Sequence, residues 1–129
     1  MPLQATETGG NGAQIKLTTD GYLRPIEPVL TLTSPGYALD DLVEVLGLPV
    51  PDHIKMDVDG VEELVIAGAM KILSNPKVKS LMFELPAHLH DKLIDVLDGL
   101  GFKHEKSLTP VYGAPLQDWS CTNNFFSRR

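Results

Sequence analysis

The chain has 129 residues, 43% hydrophobic and 22% charged, a balance ordinary for one soluble globular domain. Its formal net charge of −6 and pI near 5.0 speak against a nucleic-acid surface, which would normally be basic. No run is long enough for a membrane span and the start lacks a signal peptide's basic and apolar regions; lone Cys121 allows neither an internal disulfide nor a cysteine-based metal site, so a reducing, cytoplasmic setting is expected.

Residues 1–14, "MPLQATETGGNGAQ", are polar and glycine-rich and read as a flexible segment ahead of a domain over 15–129. "QIKLT" and "PVLTLT" flank an Asp20-Gly21 turn signal, which suggests a ragged hairpin. "ALDDLVEVLG" places Leu39, Leu42, Val43 and Leu46 on one helical face, with Gly47 as the stop. Pro49 and Pro51 forbid its continuation.

"HIKMDV" reads as a short strand. Over Val61 to Leu73, apolar Val61, Leu64, Val65, Ala69 and Ile72 recur at helical spacing, with Glu62 and Glu63 in the first turn and Lys71 in the last. Asn75-Pro76 ends that helix, and "VKSLMFEL" is a second, buried-type strand. Another helix starts near Ala87, with Leu89, Leu93, Val96, Leu97 and Leu100 inward and Gly101 as terminator. "FKHEKS" and "CTNNFFS" form two late strands around a loop with Pro110, Gly113 and Pro115. Strands alternating with helices predict an α/β fold: a small, mostly parallel sheet of three or four strands with helices on its faces.

Chemistry concentrates in "HIKMDVDGVEELV", where two carboxylates stand between strand and helix. Asp59 followed by Glu62 has capping-box spacing, which accounts for Asp59 as a helix-start residue, and Gly60 permits a sharp turn. Asp57 lies at the carboxyl end of a strand, where open parallel sheets bind ligands; the plainer alternative is a solvated loop acid. A calcium loop is excluded, because the alignment puts Lys55 at its first ligand position and Ile66 at its last. His88 and His90 share no helical face and read as surface histidines. Met56, Met70 and Met82 are spaced as core fillers, and Tyr112 and Trp119 as packed loop aromatics.

"DVDGV" resembles the first motif of the haloacid dehalogenase-like phosphatases, which would make Asp57 a nucleophile and Asp59 an acid/base. Those enzymes need a later acidic pair for magnesium, and no such pair follows residue 84 at a strand end. A wider resemblance, from about residue 28 to residue 127, is to the FkbM family of S-adenosylmethionine-dependent methyltransferases. "IKMDVDGVEELVIAGAMKIL" matches that family's pattern at Asp57, Val58, Gly60, Glu62, Val65, Gly68 and Ala69, with Asp59 for the usual Glu and Ile66 for the usual Leu. "YALDDLVEVLG" resembles its T-L-D-D-L segment with Ala38 for Thr, Glu84 stands where the next strand ends in an acid, and Asn123 or Asn124 matches a late Asn.

The resemblance implies the C-terminal half of a Rossmann-like class I methyltransferase sheet. The strand through Asp57 would be the fourth and that through Phe83 the fifth, and the last two would form a closing antiparallel pair. It implies S-adenosylmethionine as cofactor and a hydroxyl of a small molecule or sugar as acceptor. Asp57 would be the catalytic and cofactor-contacting acid, Asp59 a second cofactor contact, Glu62 a support and Glu84 a substrate-binding residue. That family's glycine-rich cofactor turn is not matched, because "TGGNG" at 8–12 has no flanking strand or helix pattern. An incomplete sheet would leave an open strand edge and invite self-association. A non-catalytic interaction module is the alternative.

Overall fold

In the computed structural model the described residues are 2–3, 25, 30–31, 34–109 and 121–129. Strands β1 (Pro2–Leu3) and β2 (Leu30–Thr31) form a two-residue antiparallel ladder, Pro2 opposite Thr31. The second arm of the expected hairpin is thus present as β2, paired with the chain's start; the first arm and its turn lie outside the described residues.

Helix α1 (Leu39–Glu44) carries Asp40 and Asp41 in its first turn, where the helix dipole favours acids. It stops earlier than its apolar periodicity suggests. Leu39 and Val43 pack on the core, but Leu46 lies past the helix end and is 53% exposed. Gly47, at φ +67°, makes the turn expected of it.

Strand β3 (His53–Met56) runs parallel to β4 (Ser80–Pro86), with Ile54 opposite Leu81 and Met56 opposite Phe83. The single helix expected over 61–73 is instead two, α2 (Glu62–Ala67) and α3 (Met70–Ser74). The break has a tertiary cause. The backbone N–H of Asp40 donates to Gly68 O at 3.0 Å, and the Asp40 carboxylate accepts from the N–H groups of Lys71 and Ile72 at 3.1 and 2.9 Å. Asp40 therefore ends one helix and caps the next from 31 and 32 residues away in sequence, satisfying amides that a helix start leaves unpaired. Gly68 allows this approach, since a Cβ there would sit 3.1 Å from that of Ala38.

Helix α4 (His90–Gly99) buries Leu93 and Leu97, and Gly101 at φ +87° turns the chain into β5 (Phe102–Leu108). Strand β6 (Cys121–Arg128) completes a four-stranded sheet of order β3-β4-β6-β5. The sheet is mixed, not mostly parallel: β3–β4 is parallel, whereas β6 is antiparallel to both β4 and β5. Helix α4 carries the chain past the position beside β4, and the returning β6 fills it. A register shift between His104 and Lys106 marks a bulge in β5.

Leu81, Phe83 and Leu85 alternate along β4 onto one face, where they join Met56, Ile66, Leu73, Leu97 and Phe126 in a single core. All four helices feed that core, so among the described residues they cover one face of the sheet rather than both. The Arg128 guanidinium closes the core's rim. It donates to the carbonyls of Leu73 (2.7 Å), Asn75 (2.9 Å), Val78 (3.0 Å) and Leu100 (2.6 Å) and stacks on Phe102, 3.9 Å from the ring centroid. Among the described residues no helix is long and apolar enough to cross a membrane.

Candidate active site

Asp57 is the first residue after β3, and the register that sets Met56 against Phe83 places it beside Glu84 of β4. Glu84 in turn lies opposite Asn123 of β6, and Pro86 opposite Cys121. Parallel pairing thus brings the two predicted carboxylates to the same end of adjacent strands. Alternation along β3 puts Lys55 on the same face, and its Nζ donates to Asp57 Oδ2 at 2.5 Å.

The two carboxyl groups are driven apart electrically. The hydrogen bond from Lys55, followed by one from Glu84, holds Asp57 below the usual carboxylate range. Burial, then the hydrogen bond to Asp57 and the charges of Asp57 and Asp59, push Glu84 up to about 7. The pair therefore shares one proton near neutrality, with Glu84 donating and Asp57 accepting.

Glu84 binds its proton more tightly folded than unfolded. Its contribution to stability is complete below the ordinary carboxyl range and is lost as pH rises through about 7. Asp57 has the opposite sign, its contribution being lost only on acidification. Glu84→Gln keeps a neutral donor toward Asp57 and should remove the loss at rising pH. Urea melts from mildly acidic to mildly alkaline pH should show the variant gaining on the parent by on the order of 1–2 kcal/mol, an allowance for solvent screening included. Parallel pH profiles for the two proteins would show that the proton is not shared.

The expected capping box is not formed. Glu62 reaches back to accept from the Gly60 N–H at 3.0 Å, but α2 starts at Glu62 with Val61 as its N-cap, and no side chain caps it. Gly60 at φ +82° turns the chain and Val61 is buried, which moves the helix start two residues beyond Asp59. Asp59 is left exposed, a carboxylate without a capping duty. Glu62 is 2% exposed, and its Oε2 has no hydrogen-bond partner among the described residues.

Cys121, which nothing in its local sequence linked to these acids, stands among them. Its thiol is raised to about 11 by burial and then by Glu84, Glu62, Asp59 and Asp57. Asn123 is the neighbour of Glu84, whereas Asn124 points to the opposite face and is fully buried. Asn124 Nδ2 donates to Thr122 O and Oγ1 at 2.9 and 3.0 Å, so its Oδ1 accepts from His90 Nε2 and His104 Nε2, both at 3.1 Å, and from Ser107 Oγ at 2.7 Å. His90 is accordingly a half-buried bonding residue and not the surface histidine its spacing suggested; His88 is exposed. Met56 is core as expected, while Met70 is 40% exposed because the helix break turns it outward. Tyr112 and Trp119 lie outside the described residues.

An open, largely apolar cavity of about 420 Å³ runs beside β3. Tyr37, Leu39, Ile54, Val65 and Phe83 are among its walls, and Lys55 and Asp57 supply its polar groups. Among the described residues no three His, Cys, Asp or Glu side chains are grouped to hold a metal ion, so the magnesium set that a phosphatase reading requires finds no support.

The family model described as the methyltransferase FkbM domain matches residues 6–104, more than half of the chain. The match reaches further upstream than the motif resemblance and takes in the glycine-rich residues 8–12. No curated protein and no solved structure gives a match.

Proposed function

Because the chain belongs to the FkbM methyltransferase family, we propose that it takes part in S-adenosylmethionine-dependent methyl transfer to a hydroxyl of a small molecule or sugar, in a soluble, cytoplasmic setting. The observation that carries this reading is the Asp57–Glu84 carboxyl pair toward the carboxyl end of two parallel strands, with a cavity opening at Asp57. The order of the last strands supports it too. A Rossmann-like methyltransferase sheet would place the strands through Asp57 and Phe83 side by side and close with an antiparallel pair, and β3-β4-β6-β5 follows that order.

The residues present fit part of the cofactor. The cavity offers apolar walls, and Asp57 and Asp59 offer carboxylates to its positively charged methionine end; a glycine-rich turn on a strand is not among the described residues. When bound, the cofactor supplies a sulfonium methyl group that is already a strong electrophile, so the protein's task is positioning more than covalent activation. Asp57, kept ionised by Lys55, accepts a hydrogen bond from the acceptor hydroxyl and orients its oxygen. The Asp57–Glu84 pair then takes up the hydroxyl proton, a role suited to a group that titrates near the working pH. Glu84 bonds the acceptor through whatever capacity Asp57 leaves free, and Glu62 holds the Gly60 turn that aims Asp57 and Asp59.

Among the described residues strand β3 is an edge of the four-stranded sheet, and it borders the apolar cavity. An unpaired edge beside apolar surface favours strand addition from a second copy of the chain. Calorimetric titration of S-adenosylmethionine tests both proposals on one sample. Saturable binding should weaken roughly tenfold or more in Asp57→Ala, and light scattering should give a mass above the 14.1 kDa of one chain. A folded sample that takes up no cofactor would refute cofactor binding by this chain, and a strictly monomeric one would refute strand addition.

A further inference from the structure

Five consecutive residues, Ile54 through Val58, line the cavity beside β3. Successive residues of a strand point to opposite faces, so a pocket on one face would take every second residue only. This cavity therefore runs along the outer edge of β3, whose backbone N–H and C=O groups have no strand beside them among the described residues. Its apolar walls are partly open, with Tyr37 63% and Val65 38% exposed. Apolar exposure gathered in one groove marks an interaction surface, and unpaired backbone groups beside it are what an added strand covers.

The edge is chemically self-complementary. It reads apolar Ile54, basic Lys55, apolar Met56, acidic Asp57, apolar Val58. Antiparallel pairing of two copies about Met56 sets Lys55 of each opposite Asp57 of the other, twice by symmetry, and Ile54 opposite Val58. Ile54, Met56 and Val58 all belong to or pack on the core, so the apolar row continues across the junction on one face. Lys55 and Asp57, with side chains 57% and 51% exposed, are free to reach across on the other. Neighbouring registers fail. A pairing centred on Lys55 opposes two lysines, one centred on Asp57 opposes two aspartates, and a centre between two residues sets charged side chains against apolar ones.

We propose that two copies of the chain pair antiparallel through β3, centred on Met56, in a symmetric dimer that closes the cavity. This fixes the register of strand addition and makes it a control on the site. The incoming strand occupies the edge along which the cavity runs, and Lys55 of the second copy takes the Asp57 carboxylate. Dimer and cofactor complex are then alternatives. That exclusion rests on the methyl-transfer reading, whereas the pairing itself does not.

Light scattering should give the parent twice the 14.1 kDa of one chain. Lys55→Asp opposes aspartates and Asp57→Lys opposes lysines, so each variant alone should show single-chain mass. Mixed in equal amounts they should regain the doubled mass, because each presents the charge the other now lacks. The double variant Lys55→Asp/Asp57→Lys restores the pairing within one chain and should be dimeric, which guards against a single variant that fails to fold. A monomeric parent (as when other residues of the same chain cover the edge), folded single variants that keep the doubled mass, a folded mixture that stays at single-chain mass, or a monomeric double variant would each overturn the pairing. Saturating S-adenosylmethionine should return the parent to single-chain mass. Roughly hundredfold more protein should weaken its apparent affinity about tenfold, since the single-chain fraction falls with the square root of concentration. A doubled mass at saturation would overturn the closure of the cavity. No cofactor uptake even by dilute, single-chain parent would remove the methyl-transfer reading and leave the pairing to stand or fall on the masses.

Discussion

Arg128→Ala should lower the stability of the fold by about 3–5 kcal/mol, read as a shift of the urea midpoint at unchanged slope. One guanidinium satisfies four carbonyls that come from the end of α3, the turn after it, the approach to β4 and the end of α4. Helix ends leave carbonyls without partners, and truncation would orphan several of them at once. It would also strip the face of Phe102, which is fully buried beneath the guanidinium. Lysine should recover less than half of the loss, because a single ammonium cannot meet four acceptors spread across a planar fork. A variant within about 0.5 kcal/mol of the parent would mean that water replaces these bonds freely.

Asn124→Leu should cost about 2–4 kcal/mol in the same measurement. The side chain is fully buried and uses both ends, with two bonds to Thr122 on one side and three donors from His90, His104 and Ser107 on the other. Leucine matches the volume but leaves two imidazoles, two hydroxyls and a carbonyl facing an apolar group. Aspartate should fail as well, since it cannot donate to the Thr122 carbonyl. Asn123→Ala, at the half-exposed neighbour beside Glu84, should cost less than about 1 kcal/mol. Comparable losses at both positions would show that the network is not what holds α4 to the sheet.

These two residues mark where a sequence stops being readable. Strand β3, strand β4, helix α4 and the late strand pair follow from local patterns: alternation, a 3.6-residue period, and glycines at Gly47, Gly60 and Gly101 that take positive φ. Asp57 and Glu84 were legible because each lies near the carboxyl end of a strand pattern, and parallel register alone brings them together. What local pattern misses is long-range. Residues 61–73 carry a continuous helical period, and only Asp40, arriving from another helix, divides them. Asp59 and Glu62 have capping-box spacing, yet the buried Val61 shifts the helix start beyond Asp59. The late asparagines were equivalent until β6 pairing turned one to the acids and the other to the histidines. Mixed strand order, the Arg128 clasp and Cys121's place among four carboxylates depend on which strand returns where, information spread over the whole chain.

That crowding of negative charge around Cys121 has a kinetic consequence. Only a thiolate attacks an alkylating reagent, and a thiol held near 11 supplies very little of it at neutral pH. The residue is therefore sluggish toward maleimides and disulfides. Its reaction rate is tied to the charge around it: a positive group settling among the carboxylates relieves the repulsion and frees thiolate in proportion. Cys121 is thereby a built-in chemical gauge, whose labelling speed follows the charge carried by its neighbours.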